Sequence, residues 1–180
     1  TPLQLCLMTA QIANGGYKIE PKLIVNNESL SSLEIKRNIE EQKLINSGSE
    51  LVGDNKNLEI IQKAMFSSTN EITGTSYKSR IDDPRYQFAG KTGTAQVKRI
   101  SKRERELDLK IEQIPYNDRD HALYIAYGPY INPRYALSII VEHGGSGSIA
   151  AAPMAKELFK LIIDRKELRD KLSNFEEANI

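Results

Sequence analysis

Four consecutive residues carry the clearest chemical content in this sequence. They are Lys91-Thr92-Gly93-Thr94, set within Ala89-Gly90-Lys91-Thr92-Gly93-Thr94-Ala95-Gln96. Together they offer a cation, two hydroxyls and a position with no side chain. On a strand, Lys91 and Gly93 face one way and Thr92 and Thr94 the other, unless the strand twists or bulges. Gly93 weakens a strand, which signals that something approaches the backbone closely there. A peptide pairing with an exposed strand edge would be such a thing. The plainer reading is a strand with a surface lysine and an incidental glycine.

The elements around this run follow from local pattern. A helix is predicted from Pro2 to about Asn14, with Thr1 as cap, Pro2 at the first helical position and Gln4 completing a capping box. Its residues Leu3, Leu5, Leu7, Met8, Ile12 and Ala13 are apolar nearly all round, which predicts a buried helix. Gly15-Gly16 ends it. Tyr17 to Ile24 reads as extended, and Asn26 to Asn57 as polar surface loop. A second helix is predicted from Leu58 to Phe66, with Leu58, Ile61, Ala64 and Met65 at helical spacing.

Three strands are predicted at Gln87–Lys98, His121–Tyr127 and Tyr135–Glu142. The last two are joined by a turn-rich stretch that suits an antiparallel hairpin. The charged stretch from Arg99 to Asp120 reads as an inter-strand loop, solvated or acting as a flap over a cleft. A flexible Gly144-Gly145-Ser146-Gly147-Ser148 precedes a closing helix from Ala151 to Lys171, with Leu158, Phe159, Leu161, Ile162 and Leu168 on its apolar side. The expected class is α+β, an antiparallel sheet flanked by helices.

Composition excludes several functions. The chain has 180 residues, 39% apolar and 27% charged, with a net charge of +1, which gives no reason to expect nucleic-acid binding. One cysteine, Cys6, allows no internal disulfide and reads as an inert buried thiol. His121 and His143 are too far apart for local metal-ligand spacing, and each reads as a packed structural histidine. The glycine run lacks the Gly-Lys-Ser/Thr ending of a phosphate loop. No apolar run approaches the roughly eighteen residues of a membrane helix.

Lys-Thr-Gly, with S-x-x-K and S-D-N, is a signature of penicillin-binding proteins and serine β-lactamases. The resemblance here is longer than three residues. It includes Thr1-Pro2-Leu3-Gln4-Leu5, Ala13-Asn14-Gly15-Gly16, Asp120-His121-Ala122-Leu123, Tyr127-Gly128-Pro129-Tyr130 and Glu142-His143-Gly144-Gly145-Ser146-Gly147, in order. The chain resembles the C-terminal part of the transpeptidase domain of class B penicillin-binding proteins, of the elongation type rather than the division-specific one.

That resemblance implies roles. Lys91 would stand beside a serine nucleophile and favour anionic states. The Thr92 and Thr94 hydroxyls would hold the carboxylate of a terminal D-alanine, and the Thr94 N–H would supply half of an oxyanion hole. Gly93 would leave room for the stem peptide. The resemblance also implies a D-Ala-D-Ala stem peptide and β-lactams as ligands, cell-wall elongation proteins as possible partners, and no metal or organic cofactor. It places the parent at the periplasmic face of the inner membrane, held by an anchor outside this chain.

The family's S-x-x-K is missing, because no serine in the chain has lysine three residues on. Thr75-Ser76-Tyr77-Lys78 has the spacing but begins with threonine. Ser68-Thr69-Asn70 fits S-x-N by letters yet reads as a helix-end turn. Residues 1–180 are therefore expected to be one portion of a transpeptidase domain whose nucleophile precedes residue 1. The competing expectation is a peptide- or β-lactam-binding sensor domain without chemistry. An S-x-x-K upstream of Thr1 separates the two.

Overall fold

The computed structural model describes residues 1–21, 55–99 and 109–178. Helix α1 spans Pro2–Ala13, α2 Asn55–Asn70 and α3 Ala152–Ala178. Strands β1 (Ala89–Ala95), β2 (His121–Gly128) and β3 (Tyr135–Val141) form one antiparallel sheet in the order β1-β2-β3. The α+β class expected from sequence is thus observed. Most of the predicted loop from Asn26 to Asn57, and residues 100–108 of the charged stretch, lie outside the described residues.

Helix α1 starts where its cap requires. The Thr1 hydroxyl accepts from the Gln4 N–H at 3.3 Å, and the Gln4 side chain accepts from the Thr1 amine at 2.8 Å. It ends through Gly15 and Gly16, both at φ near +90°, which lets the Gly16 N–H donate back to the Gln11 carbonyl at 2.8 Å. The expectation that this helix is wholly buried fails. Among its residues only Thr9 is buried, while Leu3 is 44% and Met8 41% exposed. One side of α1 packs near the sheet, where the half-buried Cys6 thiol donates to the Ala136 carbonyl of β3 at 3.4 Å. Burial raises that thiol's pKa, which keeps it protonated and unreactive.

The sheet has a core on each face, as its alternation demands. On one face Phe88, Tyr124 and Ala126 pack against Ala152, Ala155, Phe159 and Ile163. The Phe88 and Phe159 rings stack at 4.9 Å. On the other, Ala89 and Tyr127 pack against Met65, with Ile12 and Phe66 at the margin. Helix α3 uses only part of the predicted stripe, with Phe159 buried and Ile162 half-buried. Leu158, Leu161 and Leu168 are exposed, and the buried line is alanine-rich because the helix runs close to the sheet. A π-turn, Gly147–Ala151, leads into it.

The glycine run before α3 is packed, not a free tether. The Gly145 N–H donates to the Asp120 carbonyl at 2.8 Å, and Gly147 is buried. The described end of the charged stretch is likewise built in. It forms two short 3-10 turns, Ile111–Gln113 and Tyr116–Asp118. Lys98 pairs with Asp118 at 2.9 Å, and an Asp120 carboxylate oxygen accepts from the Val97 N–H at 3.1 Å. Both histidines belong to this corner. The His143 N–H donates to His121 Nδ1 at 3.0 Å, and His143 Nδ1 lies 3.1 Å from the Arg119 carbonyl.

Candidate active-site wall

Strand β1 carries Lys91-Thr92-Gly93-Thr94 at an edge of the sheet among the described residues. Its register opposes Lys91 to Ile125, Thr92 to Tyr124, Gly93 to Leu123 and Thr94 to Ala122. Lys91 and Thr94 are exposed, and Thr92 and Gly93 half-buried. The strand is shorter at both ends than the predicted Gln87–Lys98.

Lys91 curls along its own strand. Its Nζ donates to the Thr92 carbonyl at 3.0 Å and lies 3.5 Å from Thr92 Oγ1. Beside it a cleft of about 510 Å³ opens between α1, α2 and the sheet. Ile12, Ile61, Met65 and Ile125 make its apolar part, and Ser68, Thr75 and Lys91 its polar rim.

The strand is positioned by a buried hydroxyl cluster just behind Lys91. Tyr124 reaches from β2 to β1 at Gly90, and a side chain at residue 90 would collide with the phenol. Its hydroxyl lies 3.0 Å from both Thr69 Oγ1 and Ser76 Oγ. Ser76 Oγ also donates to the Ser68 carbonyl at 3.0 Å. These bonds tie the end of α2, the turn after it and both strands together. Burial raises the Tyr124 pKa, and its hydrogen bonds to Ser76 and Thr69 pull the other way without overcoming that. The group stays a neutral phenol.

The close backbone approach suggested by Gly93 is found from within the chain. Gly147 lies so near that a Cβ on it would stand 2.8 Å from the Gly93 carbonyl oxygen and would collide with that of Leu123. Gly93 itself is confined too, since a Cβ there would sit 3.3 Å from Leu123 Cβ.

The two serine-containing runs set aside on sequence prove to be neighbours of this strand. Ser68-Thr69-Asn70 closes α2, as expected of a helix end. Thr69 is fully buried, and the Asn70 amide donates to the Phe66 and Phe88 carbonyls, each at 3.0 Å. Yet Ser68 and Thr75 both face the cleft beside Lys91, which spacing along the chain did not reveal.

Residues 1–160 match the penicillin binding protein transpeptidase domain. The chain belongs to this family. Peptidoglycan D,D-transpeptidase MrdA of Salmonella typhimurium is 32% identical over 165 residues, covering 91% of this chain and 25% of that protein. MrdA of Acinetobacter baumannii is 33% identical over 161 residues, covering 88% and 22%. Among solved structures, Pseudomonas aeruginosa PBP2 in complex with WCK 5153 superimposes with a TM-score of 0.60 at 28% identity, over 89% of this chain and 30% of that one. The complex of Helicobacter pylori PBP2 with MreC gives 0.58 at 28%, over 89% and 25%. The chain is thus a PBP2-type transpeptidase segment, spanning about a quarter of the length of the MrdA relatives it matches.

Proposed function

We infer that the full-length protein is an elongation-type peptidoglycan D,D-transpeptidase, forming a serine acyl-enzyme on a D-Ala-D-Ala stem peptide and acylated by β-lactams. The observation that carries this is Lys91-Thr92-Gly93-Thr94 on an edge strand at a cleft, in a chain that matches the transpeptidase family over residues 1–160. Residues 1–180 supply one wall of the active site, and the serine and its partner lysine come from elsewhere in the full-length protein, since no serine here has lysine three residues on.

Each group on the wall has a task. The Lys91 ammonium draws in the terminal carboxylate and stabilises negative charge developing at the serine. The Thr92 and Thr94 hydroxyls hold that carboxylate, because hydrogen bonds to a charged acceptor are the strong ones. The Thr94 N–H donates to the oxyanion of the tetrahedral intermediate. The stem peptide lies along the edge of β1 that is unpaired among the described residues, as an added strand, with Gly93 keeping the path clear. The scheme uses no metal and no organic cofactor. It has the protein act in the bacterial envelope, at the periplasmic face of the inner membrane, with cell-wall elongation proteins as partners; a relative, Helicobacter pylori PBP2, forms a complex with MreC.

The test is acylation of the full-length protein by a fluorescent penicillin, with D-alanine release from a synthetic stem peptide measured alongside. A covalent band that excess unlabelled penicillin abolishes is the expected result. No band and no released D-alanine would reject the reading.

A further inference from the structure

Three hydroxyls stand in line from the end of α2 to β1. Ser68 Oγ lies 3.1 Å from Thr75 Oγ1, which lies 3.4 Å from Thr92 Oγ1. Lys91 Nζ, a donor with no acceptor capacity, is 3.5 Å from the same Thr92 oxygen. The turn that carries Thr75 is folded back tightly on α2. The Ser76 N–H donates to the Ser68 carbonyl at 3.0 Å, and Gly74 has no side chain where the Ser67 and Ser68 carbonyls sit. Thr75 is thus held at Thr92 by its surroundings, not by its own choice of partner.

A hydroxyl has one proton to give and two lone pairs to accept with. If Thr92 gives its proton to Thr75, none remains for a ligand. If Thr75 donates to Thr92 instead, the Thr92 proton is free for an anion, and Thr75 accepts in turn from Ser68. A carboxylate at Thr92 selects this second order, since a hydrogen bond to a charged acceptor outweighs one between neutral hydroxyls.

We propose that Thr75, backed by Ser68, is a positioning residue that turns the Thr92 hydroxyl proton toward the carboxylate of the incoming peptide or β-lactam. This rests on the transpeptidase reading above. Thr75 makes no contact with the reacting carbonyl in this scheme, so it acts on binding and not on the bond-making step.

The experiment is acylation of the full-length protein by benzylpenicillin over a range of concentrations, resolved into a dissociation constant for the reversible complex and a limiting acylation rate. Thr75→Val keeps the shape and removes the hydroxyl. It is expected to raise the dissociation constant by up to about tenfold, the worth of one hydrogen bond between neutral groups, with the limiting rate within about twofold of the parent. Thr75→Ser restores the parent value. Ser68→Ala moves the constant the same way by about threefold, and it carries the test alone should Thr75→Val not fold. An unchanged dissociation constant in the variants, a fall confined to the limiting rate, or a serine variant that fails to restore binding would each overturn the proposal. A full-length parent that is never acylated would instead reject the transpeptidase reading on which the proposal stands.

Discussion

The phenol of Tyr124 occupies the space that a side chain at residue 90 would need, so Gly90 and Tyr124 are a matched pair across β1 and β2. Behind that contact the same hydroxyl meets Thr69 and Ser76, each at 3.0 Å. Lys91 follows directly on the strand. The placement of the wall's cation is thus fixed by one residue without a side chain and one with a large one.

Gly90→Ala in the full-length protein should therefore destabilise it by about 1–3 kcal/mol, the usual cost of overpacking a core. Urea unfolding checks this. Gly90→Ala/Tyr124→Phe should recover only part of the loss, because ring carbons as well as the hydroxyl crowd that site. A wild-type midpoint for the single variant would refute the steric account.

Tyr124 and Tyr127 are both buried, yet their hydroxyls differ. Tyr127 Oη has no hydrogen-bond partner among the described residues. Tyr124→Phe deletes two buried hydrogen bonds, to Thr69 and Ser76, and should cost about 1–3 kcal/mol. Tyr127→Phe removes an unpaired polar atom and should leave stability unchanged or raised. Thermal unfolding of the two variants side by side is the measurement.

Alkaline pH gives a related expectation. Burial raises the pKa of both tyrosines above the ordinary value of 10.0. A raised folded-state pKa means that the unfolded chain loses these protons first. Their contribution is complete below about pH 10 and is lost as pH rises beyond it. The unfolding temperature should fall more steeply above pH 10 in the parent than in Tyr124→Phe/Tyr127→Phe, as a pH series of melting curves would show.

Lys91 is exposed, and its ammonium bonds to the carbonyl of its own strand neighbour Thr92. Lys91→Ala should leave the melting temperature close to the parent's. It should slow penicillin acylation of the full-length protein by on the order of a hundredfold or more. Stopped-flow acylation rates decide the matter, and a near-normal rate would remove Lys91 from the assigned role.

The 180-residue chain by itself should give no band with fluorescent penicillin on a denaturing gel, since none of its serines has lysine three residues on. A band abolished by substituting a serine of this chain would place the nucleophile inside it.

What could be read along the chain was what depends on near neighbours. The Thr1–Gln4 cap, the glycine stop after α1 and the three strands are local patterns, and all appear close to where they were expected. Lys91 to Thr94 were legible because they are consecutive. Ser68 and Thr75 were not, since their relation to Thr92 exists only once α2 and its turn fold onto β1. The stripe of α3 misled for another reason. Leucines dominate a hydrophobic pattern, but a helix lying this near a sheet buries Ala152 and Ala155 beside Phe159 and turns Leu158 and Leu161 outward. Likewise the run Gly144 to Ser148 reads as loose by composition, although Gly144 and Gly145 are hemmed in by the Val141 and Ile111 side chains and Gly147 by the Leu123 and Gly93 backbone.

Gly90, which leaves room for the Tyr124 phenol, acts on β1 as a notch cut in a key. Sliding the strand by two residues, which keeps its faces, would push Thr92 under the phenol, where its side chain does not fit. Each residue step along a strand is about 3.4 Å, longer than any useful hydrogen bond allows for error. The mis-keyed strand is thus blocked before it can form. The hydroxyls of Thr92 and Thr94 have one stop along the strand axis at which the sheet will close.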